Sequence, residues 1–338
     1  MGFMDDFASS LLGWYAENRR ILPWREDPTP YHVFLSEIML QQTRVDTVIP
    51  YYHRFLERFP SFEALAEADE EEVLVLWQGL GYYSRARNLL AAAKMVASEM
   101  NGVLPADKSK LLRLPGVGEY VSHAVLSIAF NQPYAAVDGN LMRVYARHEA
   151  KAVEANDPKG KKECAAFLLR RMESPSQFNQ ALMDLGELVC LPHGEPKCAS
   201  CPFARRCKAH LHGNPLDYPL AKKKNDVKKE ALTVLLAFDS EGNIAIRKRQ
   251  DQGLLASMYE FPNVVGKKKN GEFTDIFGNL QDIRFLGKAK HRFSHIEWDI
   301  DVYAANGVVD GATYVTLEEL KRRYSLPTAF AKLLKFLT

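Results

Sequence analysis

The sequence predicts a mainly α-helical N-terminal region followed by a smaller C-terminal α+β domain. With 338 residues, the chain is long enough for two domains. Apolar residues recur with the period of a helix up to about residue 214, whereas beyond about residue 231 they follow the shorter period of strands. We therefore assign 1–214 to the helical region, 215–230 to a basic linker and 231–338 to the α+β domain.

Composition excludes several classes of protein. Hydrophobic residues make up 47% of the chain, which is ample for packed cores, and the net charge is only +2, so any surface that binds nucleic acid must be local. No apolar run reaches membrane-spanning length, and the N-terminus lacks the basic and apolar regions of a signal peptide. We therefore expect a cytoplasmic protein without a membrane partner.

The first chemical signal is an acid inside an apolar segment. The stretch Leu22-Pro23-Trp24-Arg25 leads into a predicted helix over residues 31–43, in which Glu37 is surrounded by apolar side chains. Removal from water raises the pKa of a carboxyl group, which suits it to act as a general acid near neutral pH. The alternative is a solvated glutamate on the outer face of the helix.

The second signal is a run of two helices joined by a glycine-rich turn. Leu111 to Tyr120 contains L-P-G-V-G, in which Gly116 and Gly118 permit a sharp turn and a close backbone approach, and Pro115 is expected to break the first helix. The second helix is predicted to end near residue 130. Asp138 then caps a helix that reaches Arg147, and its position at the helix N-terminus is expected to favour the ionised carboxylate. Free amides at such turns form a natural phosphate site, although an ordinary helical turn would look similar.

Four of the five cysteines predict a metal centre. Their spacing is C-x7-C-x2-C-x5-C, at Cys190, Cys198, Cys201 and Cys207. Spacing alone is compatible with zinc or with an iron–sulfur cluster. The nearby Lys197, Arg205 and Arg206 are candidates for phosphate contacts or for simple solvation.

In the C-terminal region, apolar and polar residues alternate as they do in β-strands. Strands are predicted over 231–238, 243–249, 283–286 and 298–303, followed by a helix capped by Thr316 and Glu319 and another over 327–337. The preceding lysines at 222–224, 228 and 229 indicate a linker that lies along DNA or is merely soluble.

Taken together, several motifs resemble MutY-type adenine DNA glycosylases of the helix-hairpin-helix superfamily. They are L-P-W at 22–24, S-E-I-M-L-Q-Q-T at 36–43, W-x-G-L-G-Y-Y at 77–83, L-P-G-V-G at 114–118 and V-D-G-N at 137–140. The resemblance implies two helical lobes plus an iron–sulfur loop, and a C-terminal Nudix-like domain without Nudix-box glutamates. It also implies a 4Fe-4S cluster on the four cysteines, although the first cysteine loop has one residue more than the family pattern.

The resemblance assigns roles to individual residues. It implies catalytic positions at Glu37, Asp138, Tyr120 and Asn140. It implies contacts to DNA or to a flipped base by Trp24, Arg25, Leu40, Gln42, Thr43, Val45, Leu80, Tyr82, Gly116 and Gly118. Within the C-terminal domain, Phe293, Ser294 and His295 match the family's loop for 8-oxoguanine, where the residues alone would indicate an ordinary hairpin.

The expected activity is removal of adenine mispaired with 8-oxoguanine or guanine in double-stranded DNA, by a monomer acting at the bacterial nucleoid. Tyr120 occupies the position at which endonuclease III-type enzymes carry a strand-cleaving lysine, and Met142 replaces a lysine found in some relatives, so we expect no lyase step. Two alternatives remain: an endonuclease III-like lyase acting on oxidised pyrimidines, and a DNA-binding protein whose cluster senses redox state.

Overall fold

The computed structural model describes residues 6–221 and 227–337. They form two compact units, one made of residues 6–67 and 91–221 and the other of residues 68–90 and 227–337. The sequence assigned residues 68–90 to the helical region, whereas in the structure they belong to the second unit. The predicted linker lysines at 222–224 lie outside the described residues, and Lys228 and Lys229 begin a strand.

The chain up to residue 211 is helical. Its α-helices are α1 Phe7–Asn18, α2 Pro23–Glu26, α3 Pro30–Leu40, α4 Val45–Arg58, α5 Phe62–Ala66, α6 Glu70–Trp77, α7 Ser84–Glu99, α8 Lys108–Leu111, α9 Glu119–Ile128, α10 Gly139–Glu149, α11 Pro158–Leu169, α12 Pro175–Leu188 and α13 Lys208–Leu211. Of these, α6 and the start of α7 belong to the second unit. None of the helices in the described ranges is long and apolar enough to cross a membrane.

Helices α3, α9, α10 and α12 carry the chemistry of the first unit. Helix α3 packs against α9, and α12 packs against α1, α9 and α10. A core that includes Phe7, Leu141, Phe178 and Leu185 fixes α1, α10 and α12 together. Because these contacts bury large apolar side chains, they hold the facing polar groups in place.

The predicted helix-hairpin-helix is formed by α8, a turn and α9. Gly116 adopts φ +78°, a left-handed conformation that favours glycine, whereas Gly118 is extended at φ −103° and caps α9 without a side chain. A Cβ built on Gly118 would meet nothing within 4 Å, so the surface there is open to a close neighbour. The prediction that Pro115 ends the first helix was wrong, because α8 ends at Leu111 and residues 112–116 form turns.

The second unit is built on a mixed sheet. Its strands are β1 Lys228–Phe238, β2 Ile244–Lys248, β3 Tyr259–Glu260, β4 Asn263–Val265, β5 Leu280–Arg292, β6 Ile296–Gly307 and β7 Thr313–Val315. The order is β3-β2-β1-β6-β5, with β4 paired to β1 and β7 to β2. Only the pair β1–β6 is parallel among the strands described.

Short helices complete this unit, namely α14 Phe273–Phe277, α15 Leu317–Arg323 and α16 Thr328–Ala331. The predicted cap is present, since Thr316 and Glu319 form a capping box at α15. Residues 327–337 do not form one helix as predicted, because the α-helix gives way to a 3-10 turn over Lys332–Leu337. Strand β5 extends far beyond the predicted 283–286, and two register shifts on this edge strand blur its alternation.

Candidate active site

The first unit contains a cavity of about 480 Å³ between α2, α3, α9, α10 and α12. Ten of the residues predicted from the sequence line it together: Trp24, Arg25, Glu37, Leu40, Gln42, Thr43, Val45, Tyr120, Asp138 and Asn140. They come from two segments, 24–45 and 120–140, that are separated by 75 positions in the chain. A cavity of this size accommodates a purine base.

Glu37 lies on the buried side of α3, where seven of its neighbours from Tyr31 to Met39 are also buried. Thr29 and Pro30 start this helix through a side-chain cap and a proline in the first turn. Only 5% of Glu37 is exposed, and the Tyr120 hydroxyl donates a hydrogen bond of 2.7 Å to its Oε2. Burial, offset in part by this bond, raises the pKa of Glu37 to about 7, in the direction that the sequence predicted.

Asp138 occupies the N-cap of α10, as predicted. Its Oδ1 accepts a 2.8 Å hydrogen bond from the Leu141 amide, and its Oδ2 accepts one of 3.0 Å from Asn140 Nδ2. The sequence predicted that the helix terminus would favour the ionised form. Burial has the larger effect and raises the pKa of Asp138, while the amides and the charge of Arg143 act in the opposite direction.

Asn140 links Asp138 by hydrogen bonds to Arg143 and to Glu187. Its Oδ1 accepts a 2.7 Å bond from Arg143 Nη2, and Arg143 Nε donates a bond of the same length to the carbonyl of Cys190. Asn140 Nδ2 also lies 3.3 Å from Glu187 Oε1. Asp138 therefore sits in a preorganised polar network, and Glu37 is held separately by Tyr120.

Sequence reasoning missed the contribution of α12. Gln180, Met183 and Glu187 from this helix line the cavity, together with Arg20. Behind them, the fully buried Asp184 pairs with both Arg20 and Arg25. The signal was available, because Asp184 stands in the apolar run A-L-M-D-L, the same kind of pattern that singled out Glu37.

The remaining residues predicted to contact DNA lie on both units. In the first unit, Gln42 is exposed at φ +58° directly after α3. In the second unit, Tyr82 is 45% exposed at φ +49°, whereas Leu80 is only 5% exposed and so presents little surface in this conformation. Left-handed backbone at non-glycine residues is uncommon and often marks functional positions.

Phe293, Ser294 and His295 form the tight connection between β5 and β6. Phe293 is half-buried against His291 and Trp298, with ring centroids 4.6 and 4.8 Å away, and its amide donates to the Ile296 carbonyl. The side chains of Ser294 and His295 are exposed. They line a cavity of about 610 Å³ within the second unit, which Tyr82 also lines.

The four motif cysteines line a single cavity of about 30 Å³. Among the described residues, no three potential ligands converge closely enough to hold one metal ion. Arg147, which is 4% exposed, donates to Cys190 Sγ at 3.3 Å. Burial raises the pKa of the Cys201 thiol to about 12. Cys164 lies apart from this group, in the helical core.

The basic side chains of this loop differ in their surroundings. Arg206 forms an exposed ion pair of 2.6 Å with Asp6, whereas Lys197 and Arg205 are exposed. Exposed pairs of this kind contribute little to stability.

Comparison with known proteins agrees with this arrangement. Residues 35–170 match the family model described as HhH-GPD superfamily base excision DNA repair protein, and residues 233–336 match the NUDIX domain. An adenine DNA glycosylase of Buchnera aphidicola subsp. Baizongia pistaciae is 35% identical over 300 residues, which cover 86% of this chain and 83% of that protein. The human adenine DNA glycosylase is 33% identical, over 92% of this chain and 68% of its own.

A solved structure is also similar. A thermostable thymine-DNA glycosylase superposes with a TM-score of 0.55 at 28% identity, covering 61% of this chain and 95% of its own. The predicted fold is thereby confirmed, with a helix-hairpin-helix glycosylase fold in the N-terminal region and a Nudix-like C-terminal domain with a mixed sheet. The chain belongs to the adenine DNA glycosylase family, base excision repair hydrolases of the helix-hairpin-helix superfamily.

Proposed function

We propose that this enzyme binds double-stranded DNA as a monomer and hydrolyses the N-glycosidic bond of adenine mispaired with 8-oxoguanine or guanine, leaving an abasic site without cutting the strand. The observation that carries the proposal is the protonatable, buried Glu37 at the wall of a purine-sized cavity, with Asp138 beside it. Adenine is stacked within a duplex, so it must be flipped out to reach this cavity.

Glu37 is the general acid in this scheme. Adenine leaves readily only when one of its ring nitrogens is protonated, and a carboxyl group with a pKa of about 7 carries a proton through much of the neutral range. The hydrogen bond from Tyr120 fixes one oxygen of Glu37 and leaves the other free to face the base. Trp24, Leu40 and Val45 supply an apolar wall for the purine ring.

Asp138 balances the positive charge that develops on the sugar as the base leaves. Its position at the start of α10 and its bonds from Leu141 and Asn140 hold one carboxylate face in a fixed orientation. Paired carboxyl groups with separate acid and charge-stabilising roles are used in the same way by glycosidases.

The expected lack of strand cleavage is argued from the amine-bearing side chains that line the cavity. The hydroxyl of Tyr120 occupies the position of the lyase lysine, and no lysine is among the described residues that line the cavity. A Schiff base with the sugar needs a neutral primary amine, which arginine cannot provide. Met142, at the other position where relatives carry lysine, is fully buried.

Each unit carries residues suited to contact DNA. The amides around Gly116 and Gly118 suit a phosphate, and Gln42 and Tyr82 are exposed side chains suited to fill the gap left by a flipped base. Thr43 follows Gln42 directly, and Leu80 lies two positions before Tyr82. Phe293 anchors a loop from which Ser294 and His295 read the edge that distinguishes 8-oxoguanine from guanine.

A 4Fe-4S cluster fits the four cysteines. A four-iron cluster takes one thiolate per iron, and the four motif cysteines line one cavity. The buried Arg147 supplies positive charge against an anionic cluster. In this position the cluster would tie the loop of residues 190–207 to α10.

The test is single-turnover excision on duplexes with adenine opposite 8-oxoguanine or guanine. We expect release of adenine without strand scission, little covalent complex after borohydride treatment, and at least about a hundredfold slower release by Glu37→Gln with mismatch binding retained. Glu17→Gln, an exposed glutamate on α1, is the matched control and should excise normally. Efficient borohydride trapping would instead support the lyase alternative, and binding without any excision would support the redox-sensing alternative.

The cluster is tested by metal content. Protein purified without oxygen should contain close to four iron and four sulfide per chain, and Cys198→Ala should lose most of both. Cys164→Ala is the control, since this buried cysteine lies outside the motif and its loss should leave iron unchanged. Zinc at one ion per chain in place of iron would contradict the proposal.

A further inference from the structure

Asp184 is a buried charge that the proposed mechanism does not use. It lies on α12 with a side chain that is 0% exposed, and it does not itself line the active-site cavity. Burying an unpaired carboxylate costs several kcal/mol, so the groups paired with Asp184 indicate its role.

Two arginines surround this carboxylate. Arg25 donates from Nη1 to Oδ2 at 2.7 Å and from Nη2 to Oδ1 at 3.0 Å. Arg20 donates from Nε to Oδ1 at 2.7 Å and from its backbone amide to Oδ2 at 3.1 Å, and its Nη2 forms an ion pair with Oδ1 at 2.7 Å. Asp184 therefore fixes both guanidinium groups and the backbone at residue 20.

Both arginines line the cavity that contains Glu37. Although burial acts in the opposite direction, the hydrogen bonds and charges of the two arginines hold the pKa of Asp184 below its usual range, so the group carries one negative charge against two positive ones. The charge of Arg25 lowers the pKa of Glu37, which burial raises. The net charge of Asp184, Arg20 and Arg25 therefore affects the pKa of Glu37.

We propose that Asp184 is a positioning residue for adenine excision: it fixes Arg20 and Arg25 in the cavity wall and offsets part of their charge, which favours the protonated form of the proposed acid Glu37. This inference rests on the proposed role of Glu37. The other ionisable groups facing that carboxyl or lining the cavity are Tyr120, Asp138, Glu187, Arg44 and Asp46, and all of them remain in the variants that test the inference.

The test is the pH dependence of single-turnover excision, measured on one duplex at one salt concentration. Excision by a general acid falls as pH rises through the pKa of that acid. Asp184→Asn keeps the shape of the side chain but removes its negative charge. The falling limb of the plot of excision rate against pH should therefore move to lower pH by about one unit. Arg25→Gln removes a positive charge and should move the same limb to higher pH.

Two further variants separate charge from general damage. Asp184→Glu keeps the charge and should leave the limb in place, whatever its effect on the maximum rate. Glu173→Gln removes an exposed negative charge just before α12 and should leave both limb and rate unchanged. A purely structural role for Asp184 would lower the rate of Asp184→Asn without moving the limb, and that result would overturn the inference.

Failure of this inference is distinguishable from failure of the proposed function. If Glu37→Gln excises adenine normally, then Glu37 is not the acid and the proposed mechanism fails. If Glu37→Gln is inactive but neither Asp184→Asn nor Arg25→Gln moves the limb, only the role of Asp184 fails. Should Asp184→Asn not fold, an unmoved limb in Arg25→Gln overturns the inference by itself.

Discussion

The cavity of the helical unit and the β5–β6 loop of the second unit are built in opposite ways. In the cavity, Glu37 is almost fully buried and Asp138 is held by Leu141 and Asn140, before any substrate arrives. In the loop, Ser294 and His295 are exposed, and their side chains are joined only by a long contact of 3.4 Å. The side chain of Phe293 anchors the loop through its packing on His291 and Trp298, and the Lys228 amide donates a hydrogen bond to the His295 carbonyl.

The difference matches two kinds of task. Moving a proton requires a carboxyl group whose pKa has been changed by removal from water, and that removal costs stability in the free protein. Reading a base edge requires unpaired donors and acceptors, which are inexpensive to keep only while water solvates them. We therefore expect substitutions in the cavity to affect stability and rate together, and substitutions in the loop to affect selectivity alone.

The largest effect should be a pH-dependent gain of stability in Glu37→Gln. The pKa of Glu37 is raised from 4.5 to about 7 in the folded protein, so the folded state binds this proton more tightly than the unfolded state does. Its contribution is therefore present below pH 4.5 and is lost as pH rises to about 7. Relative to the native protein, the variant should gain roughly 2–3 kcal/mol in free energy of unfolding between about pH 5 and pH 8.

Urea denaturation at the two pH values measures this gain. Ser294→Ala is the control from the exposed loop and should show no such difference between the two pH values. An equal stability difference at both pH values would mean that the carboxyl group of Glu37 titrates normally, and the comparison between cavity and loop would lose its basis.

Asp138→Asn should have the next largest effect. The amide oxygen can still accept from Leu141, so α10 should remain capped and the protein folded. A neutral group cannot balance the charge on the sugar, and excision should slow by about a hundredfold or more. Single-turnover rates and circular dichroism check the two halves of this expectation, and a fully active variant would remove Asp138 from the mechanism.

The loop should govern selectivity. In the double variant Ser294→Ala, His295→Ala, the ratio of excision rates opposite 8-oxoguanine and guanine should fall by the equivalent of about 1–3 kcal/mol, or roughly 5- to 150-fold. Excision opposite guanine and the free energy of unfolding should change little, because both side chains are exposed. An unchanged ratio would show that the lesion is read elsewhere.

Point substitutions test recognition of the lesion more specifically than deletion of the C-terminal domain does. Residues 68–90 belong to the same compact unit, where Glu71 accepts from the Ser325 amide and Arg87 donates to the Ala256 carbonyl. Removing the domain would leave these groups without partners and disturb the segment that carries Tyr82. A loss of activity after deletion would then not report on the reading of the lesion.

The sequence predicted best those features that depend on local pattern. The cap at Asp138, the apolar surroundings of Glu37 and the capping box at Thr316 all follow from neighbours within a few residues. The family motifs added the pairing of Glu37 with Asp138, which are 101 positions apart and which no periodicity connects.

What the sequence could not supply depends on distant contacts. The ion pairs of Asp184 join positions 159 and 164 residues apart, and the grouping of residues 68–90 with the C-terminal strands is equally remote. The raised pKa of Asp138 has the same origin, since burial by the surrounding helices outweighs the local effect of the helix terminus. Edge strand β5 was predicted too short because its register shifts interrupt the alternation.

The smallest effect we predict concerns a glycine that borders the network. A Cβ on Gly186 of α12 would lie 2.6 Å from the Cβ of Asn140, which is rigidly attached to the backbone of α10 and cannot move aside alone. Gly186→Ala should therefore displace Asn140 and loosen its hold on Asp138, slowing excision by about tenfold. Gly13→Ala on α1 is the matched control, since a Cβ there meets nothing within 4 Å, and it should stabilise the protein slightly through helix propensity while excising normally. Single-turnover rates of the two variants decide the point: a normal rate in Gly186→Ala would show that the contact between Asp138 and Asn140 tolerates displacement, and that the cavity is less rigid than its burial suggests.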